Sequence, residues 1–92
     1  MKVYLEVYSD KTTIKNRLVA LSENNYEVCY KRTMAFKENE EVFVYHKYDP
    51  ICGLGFDEIN IKCDVEDSVL DKLMTRRNPH CKMFLKGEQV LF

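Results

Sequence analysis

Twice along this chain the hydrophobic period switches from two residues to about 3.6, each time beside a short oxygen-bearing side chain. Residues 2–8 alternate, with Val3, Leu5 and Val7 on one side and Lys2, Tyr4, Glu6 and Tyr8 on the other, the pattern of a half-buried strand. Ser9 or Asp10 then offers an oxygen to the free amides of a first helical turn. Over residues 11–23, Ile14, Leu18 and Leu21 recur at helical spacing, with Lys15, Asn16 and Arg17 turned to solvent. The switch recurs where Ile59, Ile61 and Cys63 lead into Asp64 or Glu66 and a stripe of Val65, Val69 and Leu73, joined by Leu70 and Met74. A strand that needs one face covered and a helix with one apolar stripe are complementary halves of a layer, so helices packed on a sheet are expected.

Between these units, Tyr26 to Phe36 reads as one strand, with Tyr26, Val28, Tyr30, Met34 and Phe36 on one face and Glu27, Cys29, Lys31 and Thr33 on the other. Lys37–Glu40 is a polar turn, and Glu41 to Tyr48 returns as the second arm of a long hairpin. Asp49-Pro50 and the stretch Ile51 to Gly55 break the pattern, because proline removes a donor and glycine frees the backbone. Asn78-Pro79 is expected to stop the second helix. Cys81 to Phe92 then forms a short hairpin folded at Lys86-Gly87, with Met83, Leu85, Val90 and Phe92 as its apolar residues. The resulting order is β-α-β-β-β-α-β-β, two strand–helix–hairpin units over residues 2–48 and 57–92 of a single domain spanning 1–92. The expected fold is an α+β two-layer sandwich, ferredoxin-like or double-wing-like. Both helices should cover one face of a mostly antiparallel sheet and leave the other face open.

A chain of 92 residues buries only about 60% of the surface its unfolded form exposes, so the core is thin. Fourteen basic against fifteen acidic residues give a net charge of -1, which argues against a DNA-coating or membrane-surface protein. No apolar run of about 18 residues is present, and the first residues do not read as a signal peptide. A cytoplasmic location is expected. Cys29, Cys52, Cys63 and Cys81 are then reduced, and their wide, irregular spacing lacks a Cys-x-x-Cys pair, so neither a metal site nor a cofactor is expected.

Six tyrosines and five phenylalanines exceed what a thin core needs, so some should lie on the open face. Tyr4, Tyr8, Tyr26, Tyr30, Phe43 and Tyr45 are the candidates, because exposed aromatics anchor protein partners. The expected function is that of a small non-catalytic binding protein, an inhibitor, adaptor or immunity-type factor acting on a protein partner. The alternative is nucleic-acid binding through Lys31, Arg32, Arg76 and Arg77 if they converge. A homodimer with sheets packed face to face is the third reading. Val3 to Tyr8 looks like the first-strand motif of an RNA-recognition module, but Glu40 and Glu41 stand where its partner strand needs cations.

Catalytic constellations are sparse. Cys52, His80 and Asp49 have the chemistry of nucleophile, base and orienting carboxylate, with nothing local to bring them together. Gly53-Leu54-Gly55 lacks the lysine and following helix of a phosphate loop, and Asp10 is explained as a helix cap. Acids from Asp57 to Asp71 precede a run of Lys72, Arg76, Arg77, Lys82 and Lys86, as the dipole of a helix between them favours.

Val42-Phe43-Val44-Tyr45, followed by Ile59-Asn60-Ile61-Lys62-Cys63-Asp64 and a helix with Glu66, Asp67 and Leu70, then Pro79 and a closing strand, resembles the MmcQ/YjbR-like family over about residues 34–92. The resemblance implies a double-wing arrangement and nucleic-acid binding. The chain departs from that family in lacking a tryptophan in the closing strand and in carrying an extra strand before the first helix.

Overall fold

Val3, Leu5 and Val7 do share one side of a strand, β1 (Lys2–Tyr8), but this strand lies at the centre of the sheet and both of its faces are used. The computed structural model describes residues 1–51 and 55–90. The other strands are β2 (Glu27–Cys29), β3 (Met34–Lys37), β4 (Glu40–His46), β5 (Phe56–Ile61), β6 (Arg77–Leu85) and β7 (Glu88–Val90). Two helices, α1 (Lys11–Glu23) and α2 (Asp67–Met74), complete the α+β fold. The seven strands form one sheet in the order β2-β3-β4-β1-β5-β6-β7.

The α+β composition, one sheet with two helices on it, is as the periodicity predicts. Its internal arrangement differs in two respects. Antiparallel pairing is confined to the edges, in β2·β3, β3·β4 and β6·β7, whereas β4, β1, β5 and β6 run parallel through the middle. Parallel neighbours need long crossovers, and α1 and α2 supply them on the way from β1 to β4 and from β5 to β6. The helices also take opposite faces. Ile14, Leu18 and Leu21 of α1 pack on Ala35, Val42 and Val44, while Val69 and Leu73 of α2 pack with Leu5, Val7, Ile59, Ile61 and Met83. The β1-to-β4 crossover travels one way along the sheet and the β5-to-β6 crossover the other. Crossovers of a common hand must then lie on opposite sides. Each helix makes a two-layer sandwich with the strands it covers; the α1 side is called the front below and the α2 side the back.

The back core is the larger. Phe56, Leu5, Ile59, Ile61, Leu73, Met83 and Val7 are fully buried, each contributing about 1.5–3 kcal/mol through its removal from water. Phe43 stands edge-on to Phe56, ring centroids 6.0 Å apart, and Ile51 joins the same cluster from the connection after β4.

Local chemistry sets the element ends. Asp10 caps α1, its carboxylate accepting from Thr12 N–H at 3.2 Å and Thr13 Oγ1 at 3.0 Å. Those bonds, the Thr12 amide first, hold its carboxyl below the usual range. Asn24 and Asn25 end the helix, with Asn25 at φ 69°. Lys86 and Gly87, at φ 51° and 87°, make the tight turn between β6 and β7 that was expected there.

Two expected elements are redrawn. Tyr26 to Phe36 is not one strand: a 3-10 turn at Tyr30–Arg32, closed by Thr33 at φ 47°, folds it into β2 and β3 and adds a seventh strand. The turn shifts the alternation by one, so Val28 and Ala35 face the front while Cys29 and Met34 face the back. The second helix ends at Met74, before Asn78-Pro79, and Pro79 lies within β6. Pairing there jumps from Phe56↔Arg77 to Glu58↔Lys82, so β6 bulges through residues 78–81, where a residue without an N–H is tolerated.

Candidate functional site

The six aromatic residues singled out from the sequence do not share a face. Tyr4 and Tyr8 point to the front and are partly covered by the margin of α1. Tyr26 also packs in the front core, its hydroxyl 3.2 Å from Glu40 Oε1 and its ring under Lys37 Nζ. Tyr30 is 52% exposed in the 3-10 turn. Phe43 and Tyr45 belong to the back, because parallel pairing sets them beside Leu5 and Val7. Phe43 is only 4% exposed and is a core residue. The fully open aromatic face is therefore corrected to a partial one.

What remains open is half of the front. Helix α1 packs over β2, β3, β4 and β1, and α2 lies behind the sheet. Among the described residues no helix covers the front of β5, β6 and β7. One row across this half runs Glu6, Asn60, Phe84 and Gln89; the next runs Tyr4, Glu58 and Lys82. Met83 and Leu85 belong to the back core and Phe84 to neither core, so its ring lies on the front. Sequence reading passed over Phe84. The signal was present in Met83-Phe84-Leu85: three apolar residues in succession in a strand must put the middle one on the face opposite its neighbours.

The seam between α1 and this half-face is polar and tightly paired. Glu6, 8% exposed, receives Arg17 Nε on Oε1 at 2.7 Å and Nη2 on Oε2 at 2.9 Å, and Tyr8 OH donates to Oε1 at 2.8 Å. Burial first, then the Glu6 charge, pushes the Tyr8 hydroxyl well above its ordinary value. Hydrogen bonding to Glu6 likewise raises the Arg17 guanidinium. Farther out, Asn60 Nδ2 donates to Glu58 Oε2 at 2.9 Å.

At the amino ends of the strands the half-face runs into a cleft of about 270 Å³ lined by Lys2, Tyr4, Asp57, Glu58, His80 and Lys82. Asp57 fixes this end. Its carboxylate accepts Val3 N–H at 2.8 Å and Asn78 Nδ2 at 2.9 Å. Those two bonds, Asn78 first, hold its carboxyl below the usual range.

The basic residues of the alternative reading are not brought together. Lys31 and Arg32 follow β2 at one edge, whereas Arg76 and Arg77 stand at the start of β6. Five strand spacings, about 24 Å at ~4.8 Å each, separate β2 from β6. The two pairs also sit at opposite ends of the strands. Asp49 and His80 are likewise apart: Asp49 accepts His46 N–H at 2.9 Å at the carboxyl end of β4, while His80 lines the cleft at the amino ends. Cys52 and the Gly53-Leu54 pair lie outside the described residues.

Cys29, Cys63 and Cys81 are free thiols, and burial raises the last two above the ordinary thiol range. Among the described residues no group of three His, Cys, Asp or Glu side chains is placed to hold a metal ion, and no helix is long and apolar enough to cross a membrane. The half-face thus combines hydrogen-bonding side chains of both kinds with aromatic rings on a rigid support, which is the chemistry of recognition. No protein-family model, curated protein or solved structure matches the chain.

Proposed function

We propose that this is a small non-catalytic binding protein that engages a protein partner across the uncovered half of the front face, with Phe84 as its aromatic anchor and Tyr4 and Tyr8 at its border with α1. The observation that carries the reading is the row Asn60, Phe84 and Gln89, running on from the α1-held Glu6 across β5, β6 and β7, over whose front no described helix packs. A rigid sheet loses little conformational freedom on docking, which favours affinity. Phe84 and the tyrosines supply large contact areas with few rotatable bonds, while Asn60, Glu58 and Lys82 set register. The free thiols fit a reducing compartment such as the cytoplasm.

A nucleic-acid partner, which the MmcQ/YjbR-like resemblance would suggest, is less favoured because Lys31 and Arg32 lie far from Arg76 and Arg77. The test is affinity capture from a lysate of the source cells, with and without nuclease. Amide hydrogen exchange of the purified complex then follows. A protein retained after nuclease treatment should slow exchange at residues 58–60 and 82–89. Partners that vanish with nuclease, or protection confined to the back of the sheet, would overturn the proposal.

A further inference from the structure

A cavity of about 510 Å³ forms a groove between α1 and the 3-10 turn, away from the half-face. We propose that it binds a free, monomeric amphiphile carrying one anionic head group. Ile14, Leu18 and Tyr30 supply its apolar wall, and Lys11 and Lys15 stand along it one helical turn apart. A groove of this size, mostly apolar with a few polar groups, suits a single small ligand.

The polar groups around the groove select the head group. Asp49 Oδ2 accepts His46 N–H at 2.9 Å, so the lining sets one carboxylate against two lysines. His46 is engaged through both ring nitrogens: Nδ1 accepts Tyr48 N–H at 3.1 Å, which leaves the proton on Nε2 to donate to Ser9 O at 3.1 Å. Among the described residues the side chains of Lys11 and Lys15 make no hydrogen bond or ion pair. Nor does the helix call for them there. Helix α2 places Asp67 in its first turn and Lys72 in its last, as the helix dipole favours, whereas α1 has no acid in its first turn and sets both lysines in its first half. Two unpaired like charges beside an apolar wall are complementary to an anion with an apolar body.

The position in the fold points the same way. His46 ends β4, and Asp10 follows the parallel neighbour β1. The chain leaving β1 crosses the front as α1, and the chain leaving β4 sends Ile51 to the back core. A crevice at the carboxyl ends of parallel strands whose connections part to opposite faces is where open α/β sheets hold ligands.

The test compares decanoate with decyltrimethylammonium, equal in chain length and opposite in charge, by calorimetry and by backbone amide shifts. Decanoate should saturate at one molecule per chain, shift the amides of Ile14 and Thr33, and bind about tenfold more tightly than the cation. In the double variant K11E/K15E, decanoate should weaken by about tenfold, and the cation should gain. An acid at the start of α1 suits the helix dipole, so this variant should fold. Absence of decanoate binding, equal binding of the two amphiphiles, shifts elsewhere, or an unchanged double variant would overturn the proposal. So would co-sedimentation with phosphatidylglycerol vesicles, which would make a membrane surface the ligand.

Discussion

Arg17 on α1 grips Glu6 on β1 through both carboxylate oxygens, at 2.7 and 2.9 Å. The pair ties the front helix to the central strand at the border of the open half-face. Replacing Arg17 by Met leaves the Glu6 carboxylate, 8% exposed, with Tyr8 as its remaining side-chain donor among the described residues. The Arg17 side chain is 37% exposed, so the full penalty of a broken buried pair does not apply. A loss of about 1–3 kcal/mol is expected from urea denaturation. Adding Glu6→Gln should recover part of that loss, which a double-mutant cycle measures.

Tyrosine titration gives the alkaline limit of the fold. Burial and the Glu6 charge raise Tyr8, and burial raises Tyr45, above the ordinary 10.0. A raised folded-state value means that the folded protein holds these protons more tightly than the unfolded chain. Their contribution to stability is thus complete below pH 10.0 and declines as pH rises beyond it. Tyrosinate absorbance should show late-titrating residues in the native protein, and Tyr8→Phe should flatten the alkaline fall in melting temperature. Asp57 acts in the opposite sense. Its lowered value stabilises the fold above pH 3.8, an advantage lost as pH falls through the depressed value and removed by Asp57→Asn.

Gly55 is fixed by Asn78. A Cβ at residue 55 would lie 2.1 Å from Asn78 Oδ1, and Asn78 cannot turn away without releasing Asp57. Gly55→Ala should cost about 1–2 kcal/mol, the scale of a lost hydrogen bond to a charged group. In an Asn78→Ala background the same substitution should cost much less. Equal costs in the two backgrounds, measured by thermal melts, would show that the contact plays no part.

Thr33 holds a left-handed conformation, φ 47°, that β-branched residues avoid. Thr33→Gly should stabilise the protein by about 1 kcal/mol, because the backbone stays in place and the strain is released. Denaturant midpoints read this directly, and a loss of stability would contradict it.

The same residue marks the limit of what was legible in the sequence. The alternation of β1, the Asp10 cap and the Lys86-Gly87 turn depend on neighbouring residues, so periodicity found them. The shift of alternation at Thr33 came from a single positive φ in a residue type that does not advertise one. Whether Phe43 and Tyr45 face front or back depends on their register against Leu5 and Val7, and a parallel register across nearly forty residues of chain is not encoded locally. The opposite placement of the helices likewise follows from strand order, which no window of sequence contains. Tyr4 and Tyr8 were legible as outward residues of β1; Phe84 required knowing that Met83 and Leu85 were both claimed by the back core.

The most direct measurement of partner binding through the half-face is capture by Phe84→Ser beside wild type and Phe43→Ser, with melting temperatures recorded for all three. Phe84→Ser should keep a nearly wild-type melting temperature and lose the captured protein. Phe43→Ser, in the core, should lose about 3–5 kcal/mol of stability. A Phe84→Ser protein that is folded and still retains the partner would contradict the half-face reading.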